Sequence, residues 1–431
     1  MRPHDISATP CENALPNRRK FLAQALLAGA GLGLPLRQVN AGASDASFAG
    51  VLLSGVQRDS PEARLIGIYR AIAAGDSASL DLAHALVRDM PRFQLGQLVY
   101  GDLLLTRSGK LNGFSSAADI TPTHGKSLQL LHEEAWRRLQ WLRETPEPGL
   151  IPRQLVRLAS NVRHLIAVDA SHSRVYVFMN TSAGLELIRS FYASIGQGGF
   201  DKQVEGDLRT PLGVYFITSR LEEIQLQEIY GIGALPLNYP NEHDRRLGRT
   251  GSGIWLHGVP RTGYARSPYS TEGCVALAND DMAYLMHTLQ LRRTPVIIAN
   301  ELHWVHPDEQ ATERNALDAV LSTWRQAHAR GDIDTLSALQ TPDYNARTTQ
   351  PAPRQASATA AAQTGIKEVR AQAQAQAQWR NVSVFRWKHQ GDVAIVNYTT
   401  VSASSRARSI DRRQYWSQDN GHWRMFFDGM V

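Results

Sequence analysis

Cysteine is nearly absent from this sequence: among 431 residues, only Cys11 and Cys274 are cysteines. Two cysteines exclude a disulfide-stapled scaffold, a cysteine-based structural zinc site and an iron–sulfur cluster. Dense runs of lysine and arginine are also missing although the formal net charge is +6, so the charge pattern predicts no nucleic-acid partner. The remaining composition, 43% hydrophobic and 20% charged residues, is typical of globular domains, and the length predicts about three of them.

Residues 1–43 have the pattern of an export signal. A basic stretch with the pair Arg18-Arg19 precedes an uncharged run of 16 residues, which is shorter than the roughly 20 residues that span a bilayer. A small-x-small sequence, Ala41-Gly42-Ala43, then supplies a cleavage site. The arginine pair followed by x-Phe-Leu resembles a twin-arginine signal and predicts a periplasmic protein. An ordinary secretory signal and a retained N-terminal anchor are the alternatives.

Cleavage of this signal would remove Cys11 and lower the net charge by three, because residues 1–43 hold five basic and two acidic side chains. Cys274 would then be the single cysteine of an exported protein. A lone thiol in an oxidising compartment is a liability unless it is buried or used chemically. The cysteine count therefore directs attention to Cys274.

The segment after the signal has apolar residues at helical spacing, as at Leu65, Ile68, Tyr69 and Ile72. This pattern predicts a first helix that ends near Gly75, followed by helices over about 79–89 and 127–143. We expect a helical module at residues 44–160 that serves for docking or forms a homodimer.

Residues 161–305 consist of short β-rich runs between glycines and prolines, with helices predicted only over 221–227 and 280–290. This texture favours a mainly-β sandwich or open barrel over a doubly wound sheet. The predicted strands cover residues 165–169, 174–179, 185–195, 212–218, 254–257 and 295–299.

Residues 306–431 have a third texture. A helix is predicted over 313–329, and a shorter helical piece should end near Thr341-Pro342. Residues 348–378 are low in complexity and are interpreted as a flexible insertion or a frayed helix. Four strands follow, at 382–388, 393–401, 412–418 and 423–428, and helices before such a curved sheet resemble the nuclear-transport-factor-like cone. The predicted fold class is therefore multidomain α+β.

The central segment carries the parts of an activated thiol. His257 ends a predicted strand, and Cys274 follows Gly273 seventeen positions later. A free thiol is mostly protonated at neutral pH and needs a base or a cationic neighbour, which His257 can supply if the fold brings it close. The amides of Gly273 and Cys274 are candidates for stabilising an oxyanion, and a helix predicted just after Cys274 would favour the thiolate.

These residues resemble the L,D-transpeptidase (YkuD-type) family, over residues 162–300. The order of parts further resembles the cell-shape L,D-carboxypeptidase branch of that family. The matching positions are His257, Thr271, Gly273, Cys274, Val275, Leu277 and Asn279, and a second block runs from Gly196 through Lys202, Glu205, Gly206, Asp207, Thr210, Pro211 and Gly213 to Tyr215.

Two positions depart from the family pattern: Glu272 stands where the family has a second histidine, and Ala276 stands where it has arginine or asparagine. By the resemblance these positions shape the substrate site, so Thr271 and Glu272 are predicted to bind substrate. Arg266 and Tyr264, on the loop after Pro260, are further candidates, because arginine binds carboxylates in two-pronged fashion.

The resemblance implies a peptidoglycan enzyme that acts on stem peptides. The Cys274 thiolate would attack the L,D bond between diaminopimelate and D-alanine, with His257 as base and the Gly258 carbonyl orienting its imidazole. Transfer of the thioester to an amine would make the protein an L,D-transpeptidase, and transfer to water an L,D-carboxypeptidase. An amidase-like activity and a non-catalytic wall-binding protein are the alternatives. No His-Glu-x-x-His or related cluster occurs, so no metal and no cofactor are predicted.

Overall fold

The computed structural model describes residues 60–108, 122–347, 378–401 and 409–431. The predicted export signal, Cys11 and nearly all of the low-complexity segment lie outside these residues. Across the described ranges, no helix combines the length and the apolar character that a membrane span requires.

Four helices build the N-terminal helical module: α1 (Pro61–Ala73), α2 (Ser79–Asp89), α3 (Gln94–Arg107) and α4 (Pro122–Glu144). The first begins with a typical cap, because the Ser60 hydroxyl accepts a hydrogen bond from the Ala63 amide and proline follows directly. The sequence did not predict α3, whose apolar residues occupy nearly all sides of the helix and therefore mark no single buried face.

The central part is dominated by one ten-stranded sheet with the order β6-β12-β3-β4-β5-β11-β9-β8-β7, to which β10 adds by pairing with β5. The separate pair β1 and β13 and the strand β2 lie outside this sheet. Two helices, α5 (Glu242–Arg246) and α6 (Asn279–Thr288), interrupt the strands. The strands are β1 (Ile151–Pro152), β2 (Leu155–Arg157), β3 (His164–Asp169), β4 (Arg174–Thr181), β5 (Gly184–Gly196), β6 (Gly213–Phe216), β7 (Leu221–Glu222), β8 (Gly233–Pro236), β9 (Trp255–His257), β10 (Tyr269–Thr271), β11 (Val275–Leu277), β12 (Pro295–Ala299) and β13 (Trp304–Val305).

The six predicted strands of this part are confirmed, with ends that differ by a few residues. The helix predicted over 221–227 is wrong, because β7 and two short 3-10 turns, Glu223–Gln225 and Glu228–Tyr230, occupy this stretch. Ile224 is 95% exposed there, so the stretch has no apolar face buried against a neighbour, and burial of such a face is what stabilises a short helix.

The C-terminal part contains α7 (Ala311–Arg330), α8 (Ile333–Ala338), β14 (Gln340–Arg347), β15 (Gln378–Trp387), β16 (Val393–Val401), β17 (Ser409–Asp419) and β18 (His422–Met430). Its sheet has the order β14-β18-β17-β16-β15-β2, so a strand from the segment before the central sheet closes one edge. The multidomain α+β class is confirmed. The likeness to nuclear transport factor stays a prediction, as do the domain boundaries.

One expectation for the C-terminal part is wrong. The second helical piece ends at Ala338, and Thr341-Pro342 belongs to strand β14. This strand lies at the edge of its sheet, which is where a proline without an amide hydrogen is tolerated.

The helical module docks on the central part of its own chain. Glu62 of α1 accepts hydrogen bonds from Arg174 of β4, at 2.6 and 3.0 Å, and from Arg138 of α4 at 3.2 Å. Phe93 packs edge-on against Tyr264, with ring centroids 4.8 Å apart. The predicted role of the module in a homodimer stays a prediction.

Candidate active site

Strand pairing brings the two predicted catalytic residues to neighbouring segments. Strands β9 and β11 run parallel, with Leu256 opposite Val275 and His257 opposite Ala276. Cys274 directly precedes β11, and its thiol donates to the carbonyl oxygen of Gly253, just before β9, at 3.3 Å. The seventeen residues between His257 and Cys274 are thus a loop that returns the chain to the same place.

His257 is only 1% exposed, and its Nδ1 lies 2.6 Å from the carbonyl oxygen of Gly258. A carbonyl can only accept, so Nδ1 carries the proton and Nε2 keeps a free lone pair. Burial lowers the pKa of His257 to about 4, and the positive charge of Arg266 adds to this effect. The imidazole is therefore neutral at physiological pH and suited to accept a proton, and the predicted contact with Gly258 is present.

Cys274 is partly exposed, as a nucleophile must be. Burial of the sulfur raises the pKa of Cys274 to about 11, and the negative charge of Glu272 acts in the same direction. A hydrogen bond from the Trp255 backbone and the charges of Arg266 and Lys202 oppose the rise. The resting thiol is therefore protonated, so a base must remove its proton during attack.

The expected help from a helix N-terminus is wrong. Strand β11 separates Cys274 from α6, which begins only at Asn279. The dipole of a helix acts within its first turn, so it does not reach this thiol.

A tight turn presents the thiol. Gly273 has a φ of 126°, and a Cβ there would lie 2.6 Å from the carbonyl oxygen of Arg209, so only glycine fits. The Thr271 hydroxyl accepts from the Gly273 amide at 3.1 Å and donates to the Cys274 carbonyl at 2.6 Å. Thr271 is buried and holds the turn, and the Gly273 amide is engaged by it. The Cys274 amide is then the remaining candidate for an oxyanion.

Two charges of opposite sign flank the thiol. Glu272 is exposed at the tip of the turn. Arg266 is half-buried and donates to the Ser270 carbonyl at 2.8 Å, and its own carbonyl accepts from Tyr192 at 2.9 Å and from Ser194 at 2.8 Å. Both side chains act electrostatically on Cys274, which places them beside the reacting group as predicted.

Tyr264 lies elsewhere. Its ring packs on Phe93 of the helical module, and burial raises its pKa well above the ordinary value. The structure thus makes Tyr264 the anchor of the loop that carries Arg266.

Three further residues border the site, and the sequence did not assign them these roles. The Tyr230 ring packs edge-on against the His257 imidazole at 5.1 Å. Lys202 is buried and donates to Asp207 at 2.8 Å, and its charge lowers the pKa of the thiol. Asn279 binds the segments that carry Tyr230 and Gly258. The pair Gly231 and Gly233 next to Tyr230 was the available signal, since closely spaced glycines mark close backbone approach.

In the part of the chain that the structure describes, no group of three or more histidine, cysteine, aspartate or glutamate side chains is placed to hold a metal ion. The arrangement can therefore be read from its own residues. A neutral imidazole, a protonated thiol on a neighbouring strand and a free backbone amide suit attack on a carbonyl carbon with formation of a thioester.

Comparison with known families supports this chemistry. Residues 163–298 match the family YkuD, the L,D-transpeptidase catalytic domain. This range contains His257 and Cys274 and nearly all of the central sheet. Comparison with curated proteins gives no match.

Two solved structures share the fold over nearly their whole length. Bd1075 of Bdellovibrio bacteriovorus has a TM-score of 0.53 and 23% identity, over 65% of this chain and 98% of that chain. The helical cell shape determining protein Pgp2 of Campylobacter jejuni has a TM-score of 0.50 and 18% identity, over 67% of this chain and 98% of that chain.

Proposed function

Since residues 163–298 carry a YkuD L,D-transpeptidase catalytic domain, we propose that this protein trims peptidoglycan stem tetrapeptides to tripeptides as an L,D-carboxypeptidase. The observation that carries the proposal is the contact of 2.6 Å between His257 Nδ1 and the Gly258 carbonyl. It leaves Nε2 as a base on the strand next to Cys274.

In the first step, Nε2 of His257 takes the thiol proton as sulfur attacks the carbonyl carbon between diaminopimelate and D-alanine. The Cys274 amide donates to the oxyanion of the tetrahedral intermediate. The imidazolium then gives its proton to the departing nitrogen, the C–N bond breaks, and D-alanine leaves. The diaminopimelate acyl group remains on sulfur as a thioester.

In the second step, neutral His257 takes a proton from water, and the hydroxide oxygen attacks the thioester carbon. The C–S bond breaks, the sulfur regains the proton from the imidazolium, and the tripeptide leaves as a carboxylic acid. The low pKa of His257 suits both steps, because the imidazole returns to its neutral form after each proton transfer.

Arg266 and Glu272 are proposed to bind the substrate. Arg266 carries its charge close to the thiol, where it suits the carboxylate of the terminal D-alanine. Glu272 is exposed on the same side of the cleft and suits the free ammonium group of diaminopimelate. Because both charges act on the thiol, the substrate would hold them in place during attack.

Hydrolysis is favoured over cross-linking by the architecture. Pgp2, which shares the fold over 98% of its length, determines helical cell shape, and removal of terminal D-alanine is a reaction that changes wall shape without adding cross-links. The family description favours transpeptidation as the second candidate. Both outcomes require an exported protein, as the predicted signal implies, and both share the thioester.

The test is incubation of the purified protein with tetrapeptide-bearing muropeptides, followed by chromatography and mass spectrometry. Tripeptide with free D-alanine supports the carboxypeptidase, and direct diaminopimelate dimers support the transpeptidase instead. Release of a larger peptide would indicate an amidase. Unchanged substrate together with no thioester adduct on Cys274 would refute enzymatic activity.

A matched pair of variants assigns the nucleophile. Cys274→Ala should abolish turnover, whereas Ser252→Ala, two residues before the chain enters β9, should not. Activity that survives Cys274→Ala would show that another group attacks the carbonyl.

A further inference from the structure

Asn279, the first residue of α6, joins two loops that border the active site. Its Oδ1 accepts hydrogen bonds from the amides of Val259 at 3.1 Å and Ile232 at 3.4 Å. Its Nδ2 donates to the Val259 carbonyl at 2.9 Å. A single side-chain amide therefore uses its acceptor and its donor to hold two separate segments.

Both segments approach the amide more closely than a side chain would allow. A Cβ on Gly231 or on Gly258 would lie 2.3 Å from Asn279 Oδ1, well inside van der Waals contact. Gly231 also has a φ of 64°, which favours glycine. The space between the two glycines thus fits an asparagine amide, and removal of the amide leaves three backbone groups without their partner.

The two segments carry the groups that contact the imidazole of His257. The Gly258 carbonyl receives the Nδ1 proton, and the Tyr230 ring packs edge-on against the imidazole at 5.1 Å. Gly258 lies directly before Val259, and Tyr230 lies two residues before Ile232. Asn279 therefore ties together the two sides of the pocket that orients the base.

We propose that Asn279 is a positioning residue that holds His257 in the orientation needed to deprotonate Cys274, acting through Gly258 and Tyr230. The proposal rests on the function above, in which His257 is the base. Displacement of a reacting group by about 1 Å can cost about a hundredfold in rate. We expect Asn279→Ala to lower kcat about tenfold to a hundredfold and to change KM less than about twofold.

A double-mutant cycle separates this role from a purely structural one. The second-order rate of Cys274 alkylation by iodoacetamide is measured at pH 7 from the mass of the Cys274 peptide, in the unchanged protein, Asn279→Ala, His257→Ala and the double variant. If Asn279 acts through His257, the double variant reacts as slowly as His257→Ala alone. Multiplying effects would overturn the proposal, as would an equal rate in His257→Ala and the unchanged protein.

Two further variants complete the test. Gly258→Ala pushes a methyl group against the same amide and should reproduce the loss seen with Asn279→Ala. Asp280→Ala, at the next position of the helix, contacts neither segment and should react like the unchanged protein. If circular dichroism shows that Asn279→Ala does not fold, the cycle is repeated with the isosteric Asn279→Asp, which loses only the donor to the Val259 carbonyl.

Alkylation needs no muropeptide, so the two proposals can fail separately. A cycle with the expected pattern in a protein that leaves tetrapeptides unchanged would refute the proposed function and support the positioning role. Tetrapeptide trimming with multiplying effects would do the reverse.

Discussion

Glu62→Gln should weaken the docking of the helical module on the central sheet. The Glu62 carboxylate accepts two hydrogen bonds from Arg174 and one from Arg138, and these arginine side chains are only 1% and 4% exposed. Glutamine has a single acceptor oxygen and turns an NH2 group toward a guanidinium donor. Removal of one partner from a buried ion pair costs about 3–5 kcal/mol, because the other charge stays buried.

Urea unfolding followed by circular dichroism measures this loss. At a slope of about 2–3 kcal/mol per molar urea, the midpoint should fall by about 1–2 M. Glu133→Gln is the matched control, since it changes the same residue type on α4 next to Arg137, at 3.1 Å, but in a partly exposed pair. That change should cost less than about 1 kcal/mol.

The loss should also depend on pH. Burial alone would raise the pKa of Glu62, but Arg174 and Arg138 outweigh it and hold the pKa below its ordinary value of 4.5. Its stabilising contribution is therefore complete above pH 5 and disappears as the pH falls through the lowered pKa. The difference between Glu62→Gln and the unchanged protein should close in that acidic range. A midpoint shift no larger than that of Glu133→Gln, at neutral pH, would refute the reasoning.

Two more predictions concern the reaction. The kcat/KM for tetrapeptide should stay level between pH 7 and pH 5 and fall only near pH 4, because His257 must be neutral and its pKa is about 4; an acidic limb at pH 6–7 would contradict this. Tyr264→Ala frees the loop that carries Arg266 from Phe93, and loss of a charge-assisted contact of about 1.5 kcal/mol raises KM roughly tenfold. Tyr264→Phe keeps the ring and should leave KM unchanged, so equal KM values for the two variants would count against the anchoring role.

Local patterns predicted much of the secondary structure. The run Pro295–Ala299 became strand β12 as predicted, and the helix predicted over 313–329 became Ala311–Arg330, because a buried β-branched run and a regular apolar face each signal one structure. The same reasoning missed α3 and placed a helix after Leu221. In those two stretches the outcome depends on which neighbours cover the segment, and local spacing holds no record of them.

The nucleophile was predictable from the sequence because cysteine is so scarce. Once Cys11 is assigned to the export signal, Cys274 is the remaining thiol, and its glycine neighbour and His257 indicate its chemistry. The second segment of the site was harder to predict. Tyr230 lies 27 positions before His257, and only the pairing of β8 with β9 brings their surroundings together.

By itself, then, the sequence determined the class of fold, the family resemblance and the pair Cys274 and His257, since these depend on residue types at short spacing. The tertiary structure decided that Tyr264 anchors a loop, that Asn279 joins two others, and that the thiol and imidazole rest in their neutral forms. These properties arise from burial and from contacts between distant segments. A pKa or a docking contact is set by what surrounds a group in space, and that surrounding exists only after the chain has folded.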